Sequence, residues 1–219
     1  MIQGSFKGVF ISLAAILLVF SCIASAQDWE KQAEAHAQKL IKKNGPGTDL
    51  SLQKQLLAMR EKDQSIRMRD INASPKEQPE LAKQMESTDI RLTSKLKQIV
   101  AAHGWPTIAL VGAKASEAAG LILIHSRDHD WQAQLLPSLQ QLAEQEKIFG
   151  DQVATLTDKI LVARGKPQRF GTQFKFANGK MIIEPVEDPQ HLEERRAKYG
   201  LPPMSIYRKM LAEMYHVHE

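Results

Sequence analysis

Cysteine is almost absent from this chain. Its 219 residues include one, Cys22, so a disulfide framework is excluded. The G-x-S-x-G and H-E-x-x-H signatures of serine hydrolases and zinc proteases are absent too, and no loop has the spacing of a phosphate-binding loop. Long runs of one charge are also missing, because 29 Lys and Arg residues are interspersed with 25 Asp and Glu residues. This interleaving argues against a nucleic-acid partner.

What is present is the composition of an ordinary globular domain. Apolar residues make up 43% of the chain and charged residues 25%, which excludes wholesale disorder and a protein with many membrane spans. A length of 219 residues suits one good-sized domain, and no internal repeat is visible. We therefore expect a single compact domain.

The first 26 residues have the three parts of a secretory signal peptide. Residues 1–7 carry one positive charge and no acid, residues 8–20 are an uncharged apolar run, and Ala24-Ser25-Ala26 is a small-residue processing site. We expect cleavage after Ala26 and a periplasmic or secreted protein with no membrane span. An uncleaved anchor is the rival, although the apolar run is shorter than the ~20 residues that a spanning helix needs. In a second alternative, Cys22 is lipidated and anchors a bacterial lipoprotein.

Apolar residues recur at helical spacing along most of the chain that follows. This period predicts an N-terminal helix and linker over residues 27–47 and a single α-rich domain over residues 48–219. Asp49 (or Thr48), Asp128 (or Asp130), Asp151 and Asp188 are the predicted N-caps. The expected fold is mainly α, an α+β domain of about seven to eight helices with one β-hairpin. The predicted packing stripes are Leu52, Leu56, Met59 and Ile66; Leu81, Met85, Leu92, Leu96 and Ile99; Leu135, Leu136, Leu139 and Leu142; Val153, Leu156 and Ile160; and Tyr207, Met210, Leu211 and Met214.

The period changes after Gly165, where a hairpin is predicted over residues 170–186. Its two strands flank Asn178-Gly179, the strongest short-range signal for a two-residue hairpin turn. That turn pairs Ala177 with Lys180 and therefore Gln173 with Glu184. We expect the face with Thr172, Phe174, Phe176, Met181 and Ile183 to be core, and the opposite face to meet solvent or a ligand.

His125 is the candidate for acid-base chemistry. It follows directly on an apolar helix, predicted from Lys114 to about Ser126, and an imidazole there can serve as a general acid or base. The alternative is a core histidine bonded to a backbone carbonyl. Asp63 falls within the apolar stripe of its helix. His125 and His129 are spaced like metal ligands on one helix, but a helix break near Arg127 separates them, so neither a metal nor a cofactor is expected.

The stretch from Gly165 to Phe174 is the densest polar cluster in the chain. Two amides, a hydroxyl, a guanidinium and two glycines within ten residues can offer many directed donors and acceptors to a polar or anionic ligand. The alternative is a loop whose amides tie the hairpin to the helices. The candidate ligand-binding residues are Gln168, Arg169, Gly171, Thr172 and Gln173.

Several motifs together resemble a bacterial family, domain of unknown function 6624, from roughly Leu50 to Leu211. They include Gly104-Trp105-Pro106-Thr107, Leu136-Pro137, Thr157-Asp158-Lys159 and above all the G-K-P-Q-R-F-G-T-Q-F element of residues 165–174. The resemblance implies functional roles for His125, Gln168, Gly171, Thr172 and Gln173, with Asp63 and Asp158 as supports. Phe170 stands where the family usually has tyrosine, and Ser126-Arg127 follow the histidine where the family typically has Ala-Asp. The family brings no established activity.

Two functions of different classes follow from these residues. In the first, the protein is a binding module of the bacterial envelope, and the element from Gln168 to Gln173, with His125, grips a polar small molecule or an envelope protein. In the second, it is an enzyme in which His125 is the general acid or base, Gln168 or Gln173 positions the substrate, and Asp63 or Asp158 orients the imidazole. The missing nucleophile signatures favour the binding module.

Overall fold

A computed structural model describes residues 13–177 and 180–215, with side chains described from residue 29 onward. Nine α-helices and one two-stranded antiparallel sheet make up this part of the chain, so the predicted mainly α fold with one hairpin is confirmed. The elements are α1 (Leu13–Asn44), α2 (Leu50–Ile71), α3 (Gln78–His103), α4 (Ile108–Val111), α5 (Ala113–His125), α6 (His129–Glu144), α7 (Gly150–Ala163), β1 (Phe174–Ala177), β2 (Lys180–Ile183), α8 (Leu192–Lys198) and α9 (Met204–Tyr215).

Helix α5 forms the centre of the domain and packs against α2, α3, α4 and α7. It is buried almost all round, which its run of Ala, Gly, Leu and Ile permits because small side chains allow close approach of neighbouring helices. The predicted stripes of α2 and α7 are buried, as are four of the five predicted residues of α3. The C-terminus of this central helix carries His125, so the fold places the imidazole where the core meets the surface.

Local capping chemistry sets several helix ends as predicted. The Asp49 carboxylate accepts a hydrogen bond from Leu52 N at 2.9 Å at the start of α2, and Asp128 accepts one from Trp131 N at 3.0 Å at the start of α6. Gly104 ends α3 with a φ of 73°, a left-handed conformation that favours glycine.

One predicted N-cap is wrong, and another caps a shorter element than expected. The N-cap of α7 is Phe149, so Asp151 lies inside the first turn, where a carboxylate still complements the helix dipole. Asp188 is the N-cap of a 3₁₀ turn at Pro189–His191 and not of α8, which begins after this turn. It has a φ of 46°, and its side chain makes no capping hydrogen bond. The four-residue α4 was not predicted, since four residues are too few to show a period.

The hairpin has the predicted register, with Ala177 opposite Lys180 and Glu184 N donating to Gln173 O at 3.0 Å. The Asn178-Gly179 turn lies outside the described residues. The strands are shorter than predicted, and the expected core face is only partly covered, because Phe176 is 48% exposed. Its ring packs on Phe174 and Tyr215.

Helix α9 is also more exposed than predicted. Met210 and Met214 were expected in its packing stripe, but both are exposed. Leu211, which was predicted, is buried, together with Met204 and Ile206 near the start of the helix. The prediction was wrong for the two methionines because periodicity identifies one face of a helix and does not tell how much of that face is covered.

At the N-terminus, α1 begins at Leu13, earlier than the predicted helix, and runs without interruption to Asn44. All of the predicted signal peptide, residues 1–26, lies outside the residues with described side chains. Lys39 and Lys43 bind the Glu146 carboxylate at 2.7 and 2.6 Å, and these two hydrogen bonds lower the pKa of Glu146 to about 2. No helix in the described ranges combines the length and the apolar character needed to cross a membrane.

Candidate functional site

His125 and Asp63 form a hydrogen-bonded pair between two packed helices. His125 is the last residue of α5, and its Nδ1 lies 2.8 Å from Asp63 Oδ1 and 3.0 Å from Oδ2. The His125 side chain is 22% exposed, whereas that of Asp63 is 1% exposed. The carboxylate thus approaches the ring from the core, and the ring keeps some access to solvent.

Asp63 is held as a carboxylate by its neighbours. Gln64 Nε2 donates to its Oδ2 at 2.7 Å and Arg67 Nε to its Oδ1 at 3.3 Å. Burial on its own raises the pKa of Asp63, but the hydrogen bond with His125 and the nearby cationic groups outweigh burial and hold the pKa below its ordinary value. Because a carboxylate only accepts hydrogen bonds, the proton of the neutral imidazole belongs on Nδ1.

A second acid extends this network. Arg67 Nη2 lies 2.5 Å from Asp89 Oδ1 on α3, so Asp63, Arg67 and Asp89 form a chain of alternating charge that begins at the carboxylate bound to His125. Burial raises the pKa of Asp89, with Arg67 opposing it. Sequence reasoning missed Asp89, although it gives the same signal as Asp63: an acid inside an apolar stripe, here between Met85 and Leu92.

The predicted support residue Asp158 serves a different part of the molecule. It is fully buried on α7, and its carboxylate accepts hydrogen bonds from Arg169 N, Phe170 N and Thr172 N at 2.7, 3.0 and 2.9 Å. The Thr172 hydroxyl donates to it at 2.8 Å. Within the described residues Asp158 makes no hydrogen bond with His125. The acid that contacts the imidazole is Asp63, and Asp158 holds the polar loop.

The amide of Gln168 is used inside the loop. This residue is fully buried, and its Nε2 donates to Gln173 O at 2.9 Å and to Glu184 O at 2.8 Å. Its Oε1 accepts from Gln173 N at 2.8 Å. Three of the four hydrogen bonds that a glutamine side chain can make therefore tie the loop to the hairpin.

The other candidates in the loop divide into buried and outward-facing residues. Thr172 is 5% exposed, and Gly171 is buried with a φ of 69°, where an added Cβ would lie 3.1 Å from Met204 Sδ. Gln173 is partly buried and donates from Nε2 to Thr172 Oγ1 at 3.1 Å. Arg169 is exposed. Of the five predicted ligand-binding residues, Arg169 and Gln173 can reach solvent with their side chains.

The two predicted clusters are linked through α7. Asp158 holds the loop of residues 168–173, and the next residue, Lys159, donates from Nζ to Ser126 O at 2.8 Å beside His125. Sequence reasoning gave Lys159 no role. No three His, Cys, Asp or Glu side chains in the described part of the chain lie together as a metal centre would need. His125 Nδ1 binds Asp63, whereas His129 Nδ1 lies 3.0 Å from Gln132 Oε1.

Comparison with known proteins gives one family. Neither the curated proteins nor the solved structures contain a significant match to this chain. The model of a family of unknown function, DUF6624, matches residues 50–218. This range includes α2 to α9, the His125–Asp63 pair and the polar loop, and excludes α1. Because the match covers most of the chain, the protein belongs to the DUF6624 family.

Proposed function

We propose that this protein is an enzyme that uses His125 as a general acid and base on a polar substrate. The observation that supports this function is the contact of His125 Nδ1 with both carboxylate oxygens of the buried Asp63. A carboxylate on Nδ1 fixes the tautomer and the orientation of the ring, and it leaves Nε2 to accept and return a proton. A histidine that served only packing would need no access to solvent, whereas the His125 side chain is 22% exposed.

Activation of water is the role that suits such a pair. The serine hydrolase signature is absent from the chain, so the proton that Nε2 accepts comes from water or from a substrate hydroxyl. General-base catalysis by a positioned imidazole contributes roughly a hundred- to ten-thousand-fold in rate. Of the two glutamines predicted to position the substrate, Gln173 has the partly exposed side chain, and the proposal keeps that role for Gln173.

A panel of p-nitrophenyl esters, phosphates and glycosides tests the proposal. We expect at least one class to be hydrolysed, with a loss of about a hundredfold or more in His125→Ala and Asp63→Asn. His103→Ala is the matched control, because His103 is also the last residue of its helix and is exposed. Hydrolysis that survives removal of the His125 imidazole would contradict the proposal.

The tautomer of His125 gives a second test that needs no substrate. Long-range ¹H–¹⁵N NMR spectra of histidine-labelled protein distinguish a neutral ring protonated at Nδ1 from one protonated at Nε2. We expect the Nδ1–H form in the wild type and its loss in Asp63→Asn, because an asparagine amide can donate to Nδ1. The Nε2–H form in the wild type would remove the basis for an Nε2 base.

A binding module is the second candidate. A cavity of about 390 Å³ lies beside Arg169 and is lined by four basic and three acidic side chains from residues 169–198. This size suits a small ligand, and the mixed charges suit one that carries both signs. A ligand at about 100 times its Kd stabilises the folded state by about 2.7 kcal/mol. Thermal-shift screening with amino acids and dipeptides measures this, and a shift that persists in Arg169→Ala would place the ligand elsewhere.

The proposal also includes export to the bacterial envelope. The charged start, apolar run and Ala24-Ser25-Ala26 site of the N-terminus support removal of a signal peptide. Intact mass of the protein recovered from periplasm or medium tests this. A chain that starts at Gln27 supports cleavage after Ala26, an acylated Cys22 supports the lipoprotein alternative, and a full-length chain in the cytoplasm contradicts both.

A further inference from the structure

The backbone on either side of His125 is held by side chains from two other helices. The last carbonyl groups of a helix have no partner within the helix. Here Lys159 Nζ, from α7, donates to Ile124 O and, at 2.8 Å, to Ser126 O. Gln132 Nε2, from α6, donates to Leu123 O at 2.7 Å and to Ser126 O at 3.0 Å. Every carbonyl from residue 123 to 126 except that of His125 itself therefore receives a side-chain hydrogen bond.

The two donors are not equivalent. Gln132 is fully buried, and its Oε1 is occupied by His129 Nδ1 at 3.0 Å, so it is a fixed part of the junction between α5 and α6. Lys159 is partly buried and lies near charges from three elements: Asp89 on α3, Arg67 on α2 and Arg127 in the loop after α5. An ammonium group at a helix C-terminus is favoured by the helix dipole. Lys159 also bridges the two residues next to His125, Ile124 and Ser126, whereas Gln132 Nε2 lies 3.4 Å from Ile124 O.

We propose that Lys159 is a positioning residue for His125: its ammonium group donates hydrogen bonds to the carbonyls of Ile124 and Ser126 and so keeps the imidazole aligned on Asp63. Lys159 donates to backbone and makes no hydrogen bond with the ring within the described residues, so it acts through the backbone of the imidazole-bearing residue. This inference rests on the proposed function, because it assigns Lys159 a part in holding the proposed base.

Because Lys159 carries a titratable charge, its hydrogen bonds to the two carbonyls depend on pH. Burial lowers the pKa of Lys159 to about 8, so the amine loses its proton in mildly alkaline solution. A neutral amine donates weaker hydrogen bonds than an ammonium ion, because charge-assisted bonds are about twice as strong. The alignment of His125 on Asp63 therefore loosens above about pH 8, and the lowered pKa of Asp63 keeps its carboxylate charged there.

Three variants of the full chain test this through the ¹⁵N shifts of His125. In Lys159→Met, which keeps the apolar stem, we expect the shifts of the two ring nitrogens to move toward each other, because the Nδ1–H tautomer is no longer held. Lys159→Arg should restore most of the wild-type difference, since a guanidinium group also donates to carbonyls. Lys166→Met is the matched control, because Lys166 is exposed seven residues further on, and it should leave the shifts unchanged.

The wild type provides the same test without a substitution. Between pH 7.5 and 9.5 its His125 shifts should move in the direction of Lys159→Met, and the variant's shifts should not move further. Wild-type shifts in Lys159→Met together with a flat alkaline profile would overturn the positioning role. If those results came with an Nδ1–H ring that Asp63→Asn disturbs, the proposed function would still stand. An Nε2–H ring in the wild type would instead contradict the proposed function itself.

Discussion

Replacement of Asp158 by asparagine should unfold the domain more easily, because this carboxylate holds the polar loop. Its Oδ1 accepts from Arg169 N and Phe170 N, and its Oδ2 accepts from Thr172 N and the Thr172 hydroxyl. Asparagine is nearly isosteric but has one acceptor oxygen. If that oxygen keeps the first two partners, the new amide group meets the N–H of Thr172, a buried donor that is left unpaired.

The size of the effect follows from these contacts. An unpaired buried donor costs about 1–3 kcal/mol, and two hydrogen bonds that lose a charged acceptor weaken by about 1 kcal/mol each. We therefore expect Asp158→Asn to lower the free energy of unfolding by roughly 3–5 kcal/mol. Since Oδ2 also accepts the Thr172 hydroxyl, which can rotate to accept from the amide, this bond adds little to the loss.

Urea unfolding followed by circular dichroism measures the loss, and hydrogen exchange locates it. Amide protection should fall first at Phe170 and Thr172. Asp130→Asn is the control, because Asp130 is exposed in the first turn of α6 and its loss costs less than about 1 kcal/mol. A variant as stable as the wild type, with unchanged protection of the loop amides, would refute this reasoning.

Three further predictions concern stability. Gly171→Ala should destabilise the fold by more than Gly165→Ala in urea unfolding. Both glycines have a φ of 69°, but only at Gly171 would an added Cβ contact Met204 Sδ. Equal losses, each about 1–2 kcal/mol from backbone strain, would show that this contact costs nothing. The pKa of Lys159 is lowered from 10.5 to about 8 in the folded protein, so between these two pH values the unfolded chain binds more protons than the folded one. The free energy of unfolding should therefore rise from pH 8 to 10.5, and it should rise less in Lys159→Met. The pKa of Asp63 is lowered from 3.8 in the folded protein. Its contribution to the free energy of unfolding is therefore present above pH 3.8 and is lost as the pH falls through the lower, folded-state pKa. In acid, the free energy of unfolding should fall less steeply with pH in Asp63→Asn than in the wild type, and identical slopes would contradict the shift.

Much of the fold could be predicted from the sequence because its signals are local. Hydrophobic period placed the stripes of α2, α3 and α7, and the Asn178-Gly179 dipeptide fixed the pairing of Ala177 with Lys180. The wrong predictions concern burial, which depends on packing by parts of the chain that are distant in sequence. Phe176 lies on the predicted face of the hairpin, yet it is 48% exposed although its ring contacts Phe174 and Tyr215. Hydrophobic periodicity tells which side chains share a face of a helix or strand, and tertiary packing decides whether that face is buried.

The candidate site could be predicted in part. His125 and Asp63 each stood out because a polar residue interrupts an apolar pattern, but their pairing depends on how α2 packs against α5, across 62 positions of sequence. Gln168 shows a second limit of prediction from sequence, which concerns the partner of a polar side chain. A sequence reveals that an amide is present and cannot tell whether it faces a ligand or, as here, the carbonyl of Glu184. The same limit concealed Lys159, whose partners are backbone atoms that every sequence contains.

The spread of the site along the chain has a consequence for its assembly during synthesis. Asp63, His125 and Lys159 lie on α2, α5 and α7, and the ribosome releases these helices in that order. The imidazole can meet its carboxylate while the chain is still growing, whereas Lys159 reaches the end of α5 only after α7 has emerged. A nascent chain stalled before Gly150 would hold the backbone beside His125 through Gln132 of α6 alone, and α7 would add Lys159 as the second donor.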